Sequence, residues 1–186
     1  MRNVSMLYHF SEEPDIERFF PRLQKAYPHL KPVVFAINEE QALHYCFPRD
    51  CPRVIYWKAE WSSEEDIQHY FAETSVDKII VVENDWLDRI RQTPLYRYTF
   101  AEDSFELFDE ASTAGYYISY AEAEPVKVER VYDLIGQIVK QRVELRFTPN
   151  LHPIRNRIIA STLDFSIIRF RNAKPLNIGG VYDGIN

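Results

Sequence analysis

The sequence predicts an α+β fold in a single domain spanning residues 1–186. Three observations carry this: strands and helices that do not alternate regularly, four segments of alternating apolar and polar residues between Tyr96 and Val131, and two short apolar runs, MLYHF and VVFAI, near the N-terminus. Met6 to Phe10 reads as the first strand, broken by SEEPD, after which Asp15 to Phe20 forms a helical turn ended by Pro21. Val33 to Ile37 is apolar throughout, as expected of a strand covered on both faces, and the two runs are expected at the centre of the sheet. Pro48 and Pro52 frame a tight loop before a strand at Val54 to Trp57. Ser62 followed by Glu65 has capping-box spacing, and Ile67, Tyr70 and Phe71 recur at helical intervals, so a helix is expected from about Ser63 to Thr74. KIIVVEN then gives a buried strand and WLDRIRQT a short helix. YRYTF, SFELFDE, GYYISYAE and VKVERV alternate and read as antiparallel strands. Val131, Leu134, Ile135, Ile138 and Val139 form the stripe of an amphipathic helix, VELRF is one more strand, and Ile154, Ile158, Ile159 and Leu163 mark a last helix with Pro153 at its first position.

Composition sets the outer bounds. A chain of 186 residues, 46% hydrophobic and 27% charged, is long enough to bury a core without disulfides or metals. No apolar run approaches the roughly 20 residues that cross a bilayer, and no residue type dominates, which excludes membrane-spanning, collagenous and disordered classes. The N-terminus reaches acidic residues before any apolar stretch of signal-peptide length, so the expected location is the cytoplasm. The net charge of −6 is uneven: between Gln141 and Lys174 seven basic residues face two acidic ones, giving +5 and leaving −11 elsewhere. Residues 153–174 are therefore expected to form a basic C-terminal element, where Arg155, Arg157, Arg169 and Arg171 either hold a polynucleotide or serve as solvated surface, the latter being the favoured reading. Cys46 and Cys51 lack a second pair to complete a zinc site, so no metal is expected. GxGxxG, GxxxxGK[ST], GxSxG and HExxH motifs are all absent.

Two clusters have the residue types for ligand recognition. His9 and Ser11 stand two apart on the first strand and so face the same side, where an imidazole and a hydroxyl can meet a ribose or an amide. The plainer alternative is a strand-end His with its tip in water and a Ser that caps the following turn. Tyr45, Phe47, Arg49, Asp50 and Arg53 join aromatic rings, which stack on flat bases, to guanidinium forks that match phosphates. An Arg-Asp clamp on the proline-rich loop would use the same residues. Among carboxylates, Asp109, Glu110, Glu122, Glu124 and Glu144 sit at strand ends or on strands, and Glu144 shares a strand face with Arg146, a spacing that suits a salt bridge as well as an acid or base.

LYHFSEEPDIERFFPR, YCFPRDCPR, AGYYIS, VELRFTPNLHPI and STLDFSIIRFRNAKP together resemble an uncharacterised family of bacterial domains of unknown function over nearly the whole chain. LYHFS and HYCFPR also resemble motifs of the ADP-ribosyltransferase fold, in particular the DNA-targeting ADP-ribosyltransferase toxins and the RNA 2′-phosphotransferases. That likeness implies a split antiparallel or mixed sheet flanked by helices, with NAD as cofactor. It further implies that His9 and Ser11 hold ribose and amide, that Tyr45 stacks on nicotinamide with Phe47 nearby, and that Arg49 binds phosphate or orients the acceptor, while Arg53 is a nucleotide-binding candidate by its residue type in the same loop. Where the toxins carry a catalytic Glu, the segment TAGYYIS has Gly115. Either Glu110 or Glu122 takes that role in an NAD-consuming transferase, or the domain binds a nucleotide without chemistry, because departure of nicotinamide loses electrostatic support without a carboxylate at the ribose.

Overall fold

The computed structural model describes residues 6–176, which contain ten strands and four α-helices. The architecture is α+β with one antiparallel and one mixed sheet. The chain divides into two compact units: one runs to Arg49 and resumes over Asp88–Glu144, and the other takes Asp50–Leu87 and the chain from Leu145 onward.

The first unit is built on a six-stranded sheet in the order β6-β7-β2-β1-β5-β8. Its strands are β1 (Met6–Ser11), β2 (Val34–Ile37), β5 (Leu95–Ala101), β6 (Glu106–Leu107), β7 (Tyr116–Ser119) and β8 (Lys127–Val131). The two apolar runs lie centrally, as their composition predicts: β1 pairs with β2 and β5, and β2 with β7, every pairing antiparallel. Register sets the faces. His9 lies opposite Tyr98 and Ser11 opposite Tyr96, so these four share a face with Leu7 and Phe100. That face packs Leu7, Val34, Ala36, Tyr98, Phe100 and Ala123, with Ile16 and Phe19 laid over them. The other face buries Val33, Phe108 and Ile118 under Tyr27 and Leu30.

Several expectations change in this unit. Asp15 to Phe20 is not helical, because backbone donors a helical turn would use are already taken: Ile16 N–H donates to the Tyr98 hydroxyl at 3.1 Å and Phe19 N–H to the Ala123 carbonyl at 2.9 Å. SFELFDE keeps only two residues of strand, with short 3-10 stretches at Glu102–Ser104 and Asp109–Ala114 on either side. The helix α2 (Leu87–Gln92) follows a 3-10 turn at Asn84–Trp86. The amphipathic stripe shortens to α3 (Leu134–Lys140), with Leu134 and Ile138 buried and Val139 exposed, while Val131 ends β8.

The second unit holds a four-stranded sheet ordered β10-β3-β4-β9: β3 (Arg53–Trp57), β4 (Lys78–Glu83), β9 (Glu144–Thr148) and β10 (Asp164–Ile168). Helices α1 (Glu64–Phe71) and α4 (His152–Ile159) cover one face, with Phe71 and Ile158 packed among Val54, Tyr56, Ile79 and Val81. The cap of α1 sits one residue later than its sequence signature. Ser63 Oγ accepts from Asp66 N–H at 3.2 Å, whereas Ser62 Oγ accepts from Ala59 N–H in the preceding turn. Strand β10 was not foreseen. Arg169 has φ 54 and turns the chain into a 3-10 stretch at Phe170–Asn172, so Arg169 and Arg171 do not extend the strand. No described helix is long and apolar enough to cross a membrane.

Candidate functional site

Strand β1 delivers His9 to its place. Alternation sets the imidazole on the covered face, where its ring lies 4.9 Å from that of Phe19 and its Nδ1 is 3.0 Å from the Phe35 carbonyl oxygen. A carbonyl only accepts, so Nδ1 carries the hydrogen and Nε2 carries the lone pair. Partial burial holds the imidazole below its usual titration range; the positive charges of Arg49 and Arg22 push the same way, against the Phe35 hydrogen bond. His9 is therefore neutral near pH 7, and among the described residues Nε2 has no hydrogen-bond partner.

The residues that follow fix the surroundings. Ser11 Oγ accepts from Glu13 N–H at 3.1 Å, the turn-capping role that its type allows, and keeps its hydroxyl proton for another acceptor. Glu12 Oε1 accepts from the Arg49 backbone N–H at 2.9 Å, which ties the loop after Phe47 to the end of β1. The hydroxyl of buried Tyr98 donates to the Glu13 carbonyl and accepts from Ile16 N–H, holding the intervening turn against the sheet. His9, Ser11, Glu12 and exposed Arg49 thus gather at one end of β1, with the charge of Arg22 within reach.

Other candidates lie elsewhere. Tyr45, in a 3-10 turn at Ala42–Tyr45, joins its hydroxyl to that of Tyr116, on the opposite sheet face from His9. Phe47 is 2% exposed and packs as a core residue, offering no open ring for stacking. Arg53 lies on β3 of the second unit, equally buried, and its Nη1 donates to the Cys51 carbonyl at 2.7 Å, so it organises backbone. Asp50 is exposed, and its carbonyl accepts from Asn172 Nδ2 at 2.8 Å.

The two carboxylates considered for catalysis are engaged at the surface of the first unit. Glu110 Oε1 is 2.8 Å from His29 Nε2, and Glu122 pairs with Arg18 at 3.1 Å, a guanidinium that also meets Glu124. Gly115 has φ 72, and a Cβ built on it would lie 2.4 Å from Asn38 Oδ1 and 2.8 Å from Gln41 Cγ. A glutamate at this position would carry both backbone strain and a clash, so glycine here is a requirement of the turn into β7.

Sequence reasoning missed Glu12, Arg22 and Tyr98. Glu12 adjoins the HFS segment and has a pairable charge, but its partner is a backbone N–H 37 residues away, which no local spacing reveals. Among the described residues, no group of three or more His, Cys, Asp and Glu side chains could hold a metal ion, and Cys46 and Cys51 are both buried thiols.

Neither a curated protein nor a solved structure matches the chain. A family model does match, over residues 8–173, and it takes in β1 from Tyr8, the proline-framed loop and every strand and helix from β2 through β10. The chain belongs to that family, a family of unknown function designated DUF6886.

Proposed function

We propose that this protein binds NAD or a closely related nucleotide at the end of β1 and does so without turnover. The observation that supports it is His9: a neutral imidazole whose Nε2 accepts, beside the positive charges of Arg49 and Arg22. An acceptor nitrogen suits a ribose hydroxyl, the Ser11 hydroxyl can donate to a ribose or amide oxygen, and the two arginines suit a pyrophosphate. NAD, rather than another nucleotide, is favoured by the likeness of LYHFS to the ADP-ribosyltransferase motif, and a sheet split in two is compatible with an ADP-ribosyltransferase-like fold.

Binding without chemistry fits the carboxylates better than transfer does. Gly115 leaves no room for a side chain, Glu110 is held in a hydrogen bond with His29, and Glu122 is paired with Arg18. Transferase activity is the second reading. It requires one of those contacts to open and its carboxylate to reach the ribose.

Calorimetric titration with NAD tests the proposal. Saturable binding at millimolar or lower concentration, weakened about tenfold or more by His9→Ala and by Arg49→Gln, is expected. Chromatography of NAD incubated with the protein and DNA, RNA or protein extract is expected to recover it intact. No saturable binding overturns the proposal, and release of nicotinamide replaces it with the transferase reading.

A further inference from the structure

Strand β8 lies at one edge of the six-stranded sheet, and among the described residues its one neighbouring strand is β5. The opposite edge strand, β6, has two residues and is too short to receive another strand. β8 has five, with no proline among them, and Lys127, Val128 and Arg130 are exposed. Its outer edge is therefore open to a further strand.

In an antiparallel sheet the backbone N–H and C=O of successive residues point to opposite sides, and this decides which groups of β8 face outward. Asn38 N–H donates to the Gly115 carbonyl at 2.9 Å, one step beyond the Ile37–Tyr116 pair, so the backbone of Asn38 faces β7 and that of Ile37 faces β1. Tyr8, opposite Ile37, faces β2 in return, which turns Leu7, His9 and Ser11 toward β5. Their partners Phe100, Tyr98 and Tyr96 face back to β1, so Leu95, Arg97 and Thr99 face β8. Glu129, opposite Arg97, and Lys127, opposite Thr99, are thus bonded to β5, and the backbone groups of Val128 and Arg130 point away from the sheet. Val126 N–H also reaches the Thr99 carbonyl, at 2.8 Å, and this bulge closes the pairing at the start of the strand.

The side chains add a second pattern. Lys127 Nζ is 2.8 Å from Glu129 Oε1, and the other oxygen of that carboxylate meets Arg97 Nη2 at 2.9 Å. A lysine alone blunts an edge, but Glu129 two positions on offsets it. Val128, between them, is 42% exposed and lies on the other face.

We infer that β8 pairs with β8 of a second copy, antiparallel about a two-fold axis that sets Val128 opposite the partner's Val128. The outward groups of Val128 and Arg130 must meet outward groups of the partner strand, so the permitted registers differ by steps of two residues. In the register proposed, Lys127 stands opposite the partner's Glu129 and Glu129 opposite the partner's Lys127. These are the pairs without mutual backbone bonds, where side chains approach most closely. A slip of one step puts Lys127 opposite the partner's Lys127. A slip the other way puts Glu129 opposite the partner's Glu129, and one step further sets Arg130 against the partner's Arg130. Like charges directly opposite are unfavourable, so the charges of β8 complement themselves in a single register, as a two-fold interface requires.

Sedimentation of the full chain from micromolar to near-millimolar concentration tests this, together with amide hydrogen exchange. Conversion of monomer to dimer is expected as concentration rises. Exchange at Val128 and Arg130 is expected to slow at least several-fold in the dimer, while that at Lys127 and Glu129, already bonded to β5, stays constant. Val128→Pro removes an N–H that no strand of the monomer uses, and is expected to abolish the dimer. Lys127→Glu sets like charges opposite each other at both symmetry-related pairs and is expected to weaken dimerisation several-fold; the change lies on an exposed side chain, which makes this result independent of any effect of proline on folding. A chain that stays monomeric throughout overturns the inference. So does a dimer that persists unchanged in both variants, or one in which exchange at Val128 and Arg130 is unaltered, since another surface would then hold it.

Discussion

In the second unit, α1 and α4 cover the sheet with side chains at helical spacing, and Phe71 and Ile158 fit among Val54, Tyr56, Ile79 and Val81. In the first unit the face that bears His9 is covered by an irregular segment, where Ile16 and Phe19 lie on Leu7, Tyr98 and Phe100. A helix satisfies its own backbone, so its cover needs little besides apolar periodicity. An irregular cover must find a partner for each N–H and C=O. Tyr98, Ser11 and the Phe19 to Ala123 bridge supply them. The difference explains why the Tyr98 hydroxyl is spent on backbone groups of the cover and how an imidazole can sit beside it with one nitrogen satisfied and the other available.

The largest expected effect probes the helical cover. Ile158→Ala removes a fully buried side chain from the second core and is expected to cost about 2 to 5 kcal/mol, read from urea unfolding at constant m-value. A loss below about 1 kcal/mol would mean that α4 is not held by this core. Tyr98→Phe tests the irregular cover with almost no change of volume. It removes the hydroxyl that meets Glu13 and Ile16, and about 1 to 2 kcal/mol is expected, together with faster amide exchange at Ile16 but not in α4. Equal acceleration in both places would erase the distinction between the two covers.

The smallest effect is a pH dependence. His9 titrates below its ordinary value near 6.5 in the folded chain because burial and then the Arg49 and Arg22 charges disfavour its protonated form. Between the folded value and the ordinary one, the unfolded chain binds more protons, so stability rises with pH across that window. The His9 contribution is complete above it and is lost as pH falls through it. Urea midpoints at about pH 7.5 and about pH 5 are expected to differ less in His9→Gln than in the parent chain. An identical difference in both would show that His9 is not the group that titrates.

Much of this architecture could be read before the chain was folded. Each strand of the central pair β1 and β2, and also β4, is a short apolar run bounded by turn residues, and Ile154 and Ile158 stand one turn apart after Pro153. Such local patterns report burial and period directly. Asp15 to Phe20 misled because its backbone hydrogen bonds go to residues more than 80 positions away, and the alternation of Asp164, Phe165, Ser166 and Ile167 in β10 spans only four residues directly after the helical pattern that ends at Leu163. At the site, the His9 and Ser11 pair follows from strand alternation alone. Tyr45, Phe47 and Arg53 do not join it, because proximity along the proline-framed loop says nothing about which way each side chain turns.

By itself, the sequence determined the α+β class, the central strands, the family and the sharing of a face by His9 and Ser11, all of which depend on local periodicity or on residue identity. Only the tertiary structure decided that Glu12 would hold the Arg49 loop, that Tyr98 would secure the cover, that Gly115 had no space for a carboxylate, and that Arg146 and Arg157 would line one cavity. In the first three the groups that meet stand far apart in the chain, and in all four only chain reversal and strand register determine which side chains meet.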